Sequence, residues 1–297
     1  MPRGIAVSLL FLLSPFVLFA GTPQTISQAD LLHDQGQFGE ARKLLLDSVA
    51  AAEDGKEKAE LYWRAARETL ELGDLAEKAK TPQAEILKIF EEGEGYANKG
   101  IEADPQNDLA YYWKSANIGR WGQVKGILNS LFKAGTMKDI LAKVVALNPE
   151  RSDAYFVLGQ LYREVPGWPV SFGNIESAVS LGRKAVDLRR AQVLSGAEKE
   201  FVQNFSIELA KTLYKRNWPA AKRVSEQANK AAKSAAAQTP LDQSFWYEGS
   251  VTLKDLSDRE EAKALLLSAI TELGELSALT ASQAKDLQKA KDVLKGW

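Results

Sequence analysis

The chain has no cysteine and a single histidine, His33. The first absence excludes disulfides, cysteine-ligated zinc, a thiol nucleophile and a lipid-modified cysteine. The second leaves acid–base chemistry with one lone imidazole and no readable partner constellation, so His33 reads as a structural or surface residue. A metal site would have to be built from carboxylates alone. The nearest to one is Glu91, Glu92 and Glu94, which fall on successive faces of a helix and read as a solvated surface. No glycine-rich phosphate loop is present: Gly119, Gly122 and Gly126 are not followed by Lys-Ser/Thr or preceded by a strand, and read as helix contacts or turns. No G-x-S-x-G elbow occurs either. Neither enzyme activity, a cofactor nor a metal is expected. Net charge is −1 over 297 residues, so no global field favours nucleic acid.

Sustained period-two alternation is missing as well. Ala, Leu, Lys and Glu dominate instead, with apolar residues at i, i+3, i+4 and i+7. The expected fold is all-α, built as successive antiparallel helix pairs. Residues 148–187 show the unit best. One helix carries Tyr155, Leu158, Gly159 and Tyr162, and the next carries Ile175, Ala178, Val179, Gly182 and Ala185. Gly159, Ala178 and Ala185 stand where two helices must approach closely, and the tyrosines supply bulk around them.

The same pattern recurs before and after this stretch. Pair one spans about 25–52, with Ser27 as a candidate cap and Gly36 in the turn. Pair two runs from near Glu57, turns at Gly73-Asp74, and restarts after Thr81-Pro82. Pair three begins at Asp108, carries an insertion from Trp121 to Phe132, and closes with a helix from Met137 to Leu147. Pair five places Phe205, Leu209 and Leu213 opposite Trp218, Ala221, Ser225 and Ala228, and pair six sets Phe245, Gly249 and Leu253 against Ala262 and Leu266. A last helix, Ser282 to Leu294, reads as a cap with one wet face. The architecture expected is a tetratricopeptide-like α-solenoid of about six antiparallel helix pairs with insertions and a C-terminal capping helix. It occupies residues 21–297.

Residues 1–20 stand apart. Arg3 is followed by an apolar run to Phe19 and a small-residue exit, Ala20-Gly21-Thr22. This is a secretory signal pattern, with cleavage expected after Ala20. The alternative is an uncleaved N-terminal anchor, although Pro15 interrupts a run at the short limit for a span. Export without disulfides points to a bacterial periplasm.

Aromatic residues concentrate in pairs three and four. Tyr155, Tyr162 and Trp113 fit core positions. Trp121, Trp168 and Phe172 fall in insertions, where solenoids place binding faces. These three, with Tyr112, are candidates to line a pocket or interface. Arg120 and Arg163 flank them and could orient an anionic group; otherwise they are exposed, salt-bridged arginines.

The chain resembles the tetratricopeptide-repeat superfamily. The runs YYWKSANIG from Tyr111 and LGQLYREVPGWPVSFGN from Leu158 are similar to periplasmic repeat proteins of the TatT family, the T component associated with tripartite (TRAP) transporters. They are also similar to the repeat region of the microtubule-dynamics-regulator family. The first resemblance implies an often oligomeric scaffold that docks a periplasmic solute-binding protein, although this chain lacks the lipid-anchoring cysteine. The expected function is an exported scaffold for protein–protein interaction, accessory to a transport system. The alternative is a binder of a small hydrophobic or amphipathic ligand in an aromatic-lined pocket. A protein partner is expected, nucleic acid is not, and self-association is left open.

Overall fold

The polar residues ahead of each apolar run decide where the helices begin. In a computed structural model describing residues 22–297, Asp54 accepts from the N–H of Glu57 at 2.9 Å and opens a helix at Gly55. Asn107 does the same for Ala110 at 3.0 Å, and Asn174 for Glu176 and Ser177, both at 3.0 Å. Each side chain satisfies an N–H that the first helical turn leaves without a partner. The segment expected to be a signal peptide lies outside the described residues.

The described chain forms thirteen α-helices and no strand. They are α1 (Thr22–Asp34), α2 (Phe38–Ser48), α3 (Gly55–Lys78), α4 (Gln83–Ala103), α5 (Asp108–Lys125), α6 (Ile127–Leu147) and α7 (Ser152–Glu164). After a loop come α8 (Ile175–Leu194), α9 (Asn204–Arg216), α10 (Ala220–Ala236), α11 (Pro240–Ser244), α12 (Asp258–Gly274) and α13 (Ala281–Lys295). Helices α1/α2, α3/α4, α5/α6 and α7/α8 pack as successive pairs, and α3·α5, α6·α7 and α8·α9 contacts join one pair to the next. This is the expected helical-repeat solenoid. Ser27 does not cap α1; it lies inside the helix with its hydroxyl on the Pro23 carbonyl at 3.0 Å.

Small residues set the spacing within pairs. A Cβ on Gly159 would stand 3.3 Å from the Ala178 carbonyl and the Gly182 nitrogen, and both Ala178 and Ala185 are fully buried. Gly73, expected to make a turn, lies within α3. A Cβ there would meet the Phe90 ring at 2.4 Å, so the glycine admits a buried aromatic of α4 rather than reversing the chain. The insertion after Trp121 is also helical: α5 continues to Lys125, and Gly126 (φ +93°) takes a conformation that L side chains rarely adopt before α6 begins.

Pairs five and six are interleaved. The partner of α9 is α12, not α10; α10 packs instead on α11 and the 3-10 turn Tyr247–Ser250. Ala221, Ser225 and Ala228, expected to face inward, are exposed, and the buried residues of α10 are Arg223 and Lys230. Charge decides this orientation. Lys230 pairs with Glu248 at 2.7 Å, and Arg223 with Asp258 at 3.3 Å and with Glu261. Arg216, fully buried, bonds both Glu248 and Asp258, and Arg183 bonds Glu248 and Glu261. Burying these cations without carboxylates would be prohibitive, so the network fixes how α10 returns to the solenoid. Helix α13 packs on α12 and α9 as the terminal cap, with Thr280 and Gln283 forming a capping box.

Candidate functional site

The spacing of α5 puts Tyr112, Ala116, Gly119 and Gln123 on one stripe, and that of α7 aligns Val157, Leu161 and Glu164. These stripes face each other across a groove of about 710 Å³. Leu70 and Glu71 of α3 close one end; Glu208 and Lys211 of α9 with Lys289 of α13 close the other. Leu131, Ala134 and Met137 of α6 complete the apolar wall. Helix α6 can come this near because Gly119 and Gly122 carry no side chain: a Cβ would lie 3.0 Å from Met137 Cε and 3.2 Å from Ser130 Oγ, respectively.

The charged groups at the two ends differ. At the α9 end, Glu208 accepts from Arg163 at 2.5 Å and from Lys211 at 3.0 Å, and pairs with Lys289 at 2.5 Å. Burial alone would raise its pKa, but Arg163, Lys289 and Lys211 outweigh burial and hold it at about 2. At the α3 end, Arg120 bonds Asp74 at 2.7 Å and also Glu77. Glu71, beside them, makes no hydrogen bond or ion pair. Burial, then Asp74, push its pKa above the usual carboxylate value. In the wall between, the buried indole N–H of Trp113 has no acceptor, and burial keeps the Tyr112 phenol protonated to well above its ordinary range.

The structure places three of the six residues singled out from the sequence on this groove: Tyr112, Arg120 and Arg163. Arg163 is not an exposed arginine; it is 6% exposed and also bonds the Glu208 carbonyl at 3.0 Å and Thr212 at 3.1 Å. Trp121 is part of an unbroken helix and turns away from the groove. It packs with Leu70, Ile86 and Phe90, and its N–H donates to Glu91 at 2.9 Å. Phe172 sits on Tyr162 at 5.1 Å with Lys138 over its ring, and Trp168 stands 90% exposed at the tip of the α7–α8 loop. Sequence reasoning missed Glu71. The visible signal was the three-residue spacing of Glu68, Glu71, Asp74 and Glu77, an acidic row that winds around α3 from its buried to its exposed side. His33, read as structural, bonds Glu68 at 2.9 Å and ties α1 to α3.

Paired helices, interhelical glycines and a long groove define a helical-repeat protein. A family model described as "Regulator of microtubule dynamics protein 1-3" matches residues 25–171, which run from α1 through α7. Regulator of microtubule dynamics protein 1 of Mus musculus is 28% identical over 140 residues, covering 47% of this chain and 43% of that protein. Regulator of microtubule dynamics protein 3 of Mus musculus is 26% identical over 208 residues, covering 64% and 42%. The chain thus spans under half the length of the curated relatives it matches. A solved structure titled "MamA RS-1 ArsTM double mutant" aligns with a TM-score of 0.41 and 18% identity, over 66% of this chain and 84% of that one. That likeness is too loose to add to the helix packing described above.

These matches overturn the periplasmic address expected from residues 1–20. The relatives are mammalian regulators of microtubule dynamics, and a mammalian cell has no periplasm. They follow the second of the two family resemblances, not the transporter-associated one. Among the described residues no helix is long and apolar enough to cross a membrane.

Proposed function

We propose that this chain is a non-catalytic scaffold that holds a segment of a partner protein in the groove between α3 and α9. The observation that carries this reading is an apolar groove about 710 Å³ in volume, whose walls come from successive repeats and carry Tyr112, Leu161 and Met137. A polypeptide supplies what such a wall lacks: apolar side chains to cover Tyr112, Leu161 and Met137. The transport-accessory role is not carried forward, because it depends on the periplasmic address. The relatives' name makes tubulin polymer the first whole protein to try.

The test is selection of a displayed random-peptide library on the purified chain and on Ala116→Trp, which fills the groove. Peptides enriched on the parent and lost on the folded variant support the reading. Equal enrichment on both refutes it. A second reading, a small amphipathic ligand, rests on the same volume, which lies within the ~300–1,000 Å³ typical of small-molecule sites. Native mass spectrometry of freshly purified protein distinguishes it, since a co-purifying mass absent from Ala116→Trp would favour the small ligand.

A further inference from the structure

We propose that Glu71 determines what the groove accepts, and that the bound segment carries a lysine or arginine next to an apolar anchor. This rests on the groove being a peptide site and names the chemistry of its occupant.

The charges on the groove lining are unequally paired. Each cation on the lining has a carboxylate. Arg120 is held by Asp74 and Glu77, Lys133 by Glu94, and Arg163 by Glu164 and Glu208. Lys211 and Lys289 share Glu208. An anionic ligand would therefore meet only cations that already hold a carboxylate. The carboxylates differ: Glu208 and Glu164 are paired, whereas Glu71 is the lining carboxylate, among the described residues, without a hydrogen bond or ion pair. Its neighbours are unavailable to it. Asp74 and Glu68 carry the same sign, and Glu68 is already bonded to His33 and Arg67. His33 and Lys78 exert only attraction without contact. A partly buried carboxylate left in this state gains most from an incoming cation.

The anchor follows from position. Glu71 shares its end of the groove with Leu70 and Arg120, and the aromatic wall of Tyr112 and Trp113 begins on the adjacent helix α5. A basic side chain reaching Glu71 would thus leave its neighbours against that wall. A free amine or small cation would satisfy Glu71 but leave the apolar surface uncovered.

The test uses the full chain. Peptides enriched on the parent protein are sequenced, and the strongest is titrated by fluorescence anisotropy against parent, Glu71→Gln and Glu71→Lys, each checked for native circular dichroism. The enriched set should contain Lys or Arg beside Leu, Phe, Trp or Met. Affinity should fall about tenfold or more on Glu71→Gln, and a norleucine replacement of the basic residue should cause the same loss on the parent but none on Glu71→Gln. Selection on Glu71→Lys should favour acidic peptides. Enriched peptides that depend on an open groove but show no basic preference, or bind Glu71→Gln as tightly, overturn this inference and leave the groove reading standing. Failure to enrich any peptide, or equal enrichment on Ala116→Trp, overturns both.

Discussion

Glu208 joins three helices through one carboxylate, and its replacement by glutamine should show what that junction contributes. Arg163 of α7, Lys211 of α9 and Lys289 of α13 all point at it. They hold its pKa at about 2, against a usual 4.5, in spite of a burial that acts the other way. A carboxylate so placed is worth about 3 kcal/mol of folding stability at neutral pH. Because the folded value is depressed, the contribution is complete above the unfolded value and disappears as pH falls from about 4.5 towards 2. Urea unfolding at pH 7 should therefore show Glu208→Gln less stable than the parent by about 3 kcal/mol. The gap should close as the pH is lowered, since the parent's own carboxyl then takes up its proton. A gap below about 1 kcal/mol at pH 7, the value of an ordinary surface pair, would mean that Glu208 is no more than that. A gap that stays constant down to about pH 3 would contradict its depressed pKa.

Three further substitutions test other parts of the structure. Gly73→Ala drives a methyl into the fully buried Phe90 ring and should cost about 1–3 kcal/mol in thermal or urea unfolding. Arg216→Met leaves Glu248 and Asp258 short of a buried partner, and a loss of about 3–5 kcal/mol is expected, with the α10 segment becoming the first to exchange its amides. Trp168→Ala, at a site 90% exposed, should leave stability within about 0.5 kcal/mol of the parent. A larger loss would mean that the α7–α8 loop depends on the indole rather than on its own hydrogen bonds, which include Gly173 N–H to the Pro166 carbonyl at 2.9 Å.

The helix pairs were legible because their signals are local. Gly159, Ala178 and Ala185 recur at helical spacing, and their smallness has one main use between two helices. Gly73-Asp74 shows how such a signal misleads, since the dipeptide that favours a turn also admits Phe90, and only the position of α4 tells the two apart. In α10 the alanines promised an apolar face. The buried cations Arg223 and Lys230 instead answer carboxylates lying 18 to 38 positions further along the chain, which helical periodicity cannot register. The groove was half visible. Tyr112, Arg120 and Arg163 stood out as aromatic or cationic residues near an unusual loop. Glu71 did not, because being unpaired is a property of what fails to lie opposite it. Trp121 drew notice as an insertion residue, yet α5 runs on past it and turns its ring into the core.

If the groove between α3 and α9 holds a partner chain, an occupant should be seen there. The most direct measurement is a crystal structure of the full chain with its most strongly enriched peptide. Peptide density is expected along α5 and α7, with a basic side chain at Glu71 and an apolar one against Leu161 and Met137. Density seated elsewhere, on the exposed Trp168 loop or against α10, with the groove left as it is in the free protein, would contradict that placement.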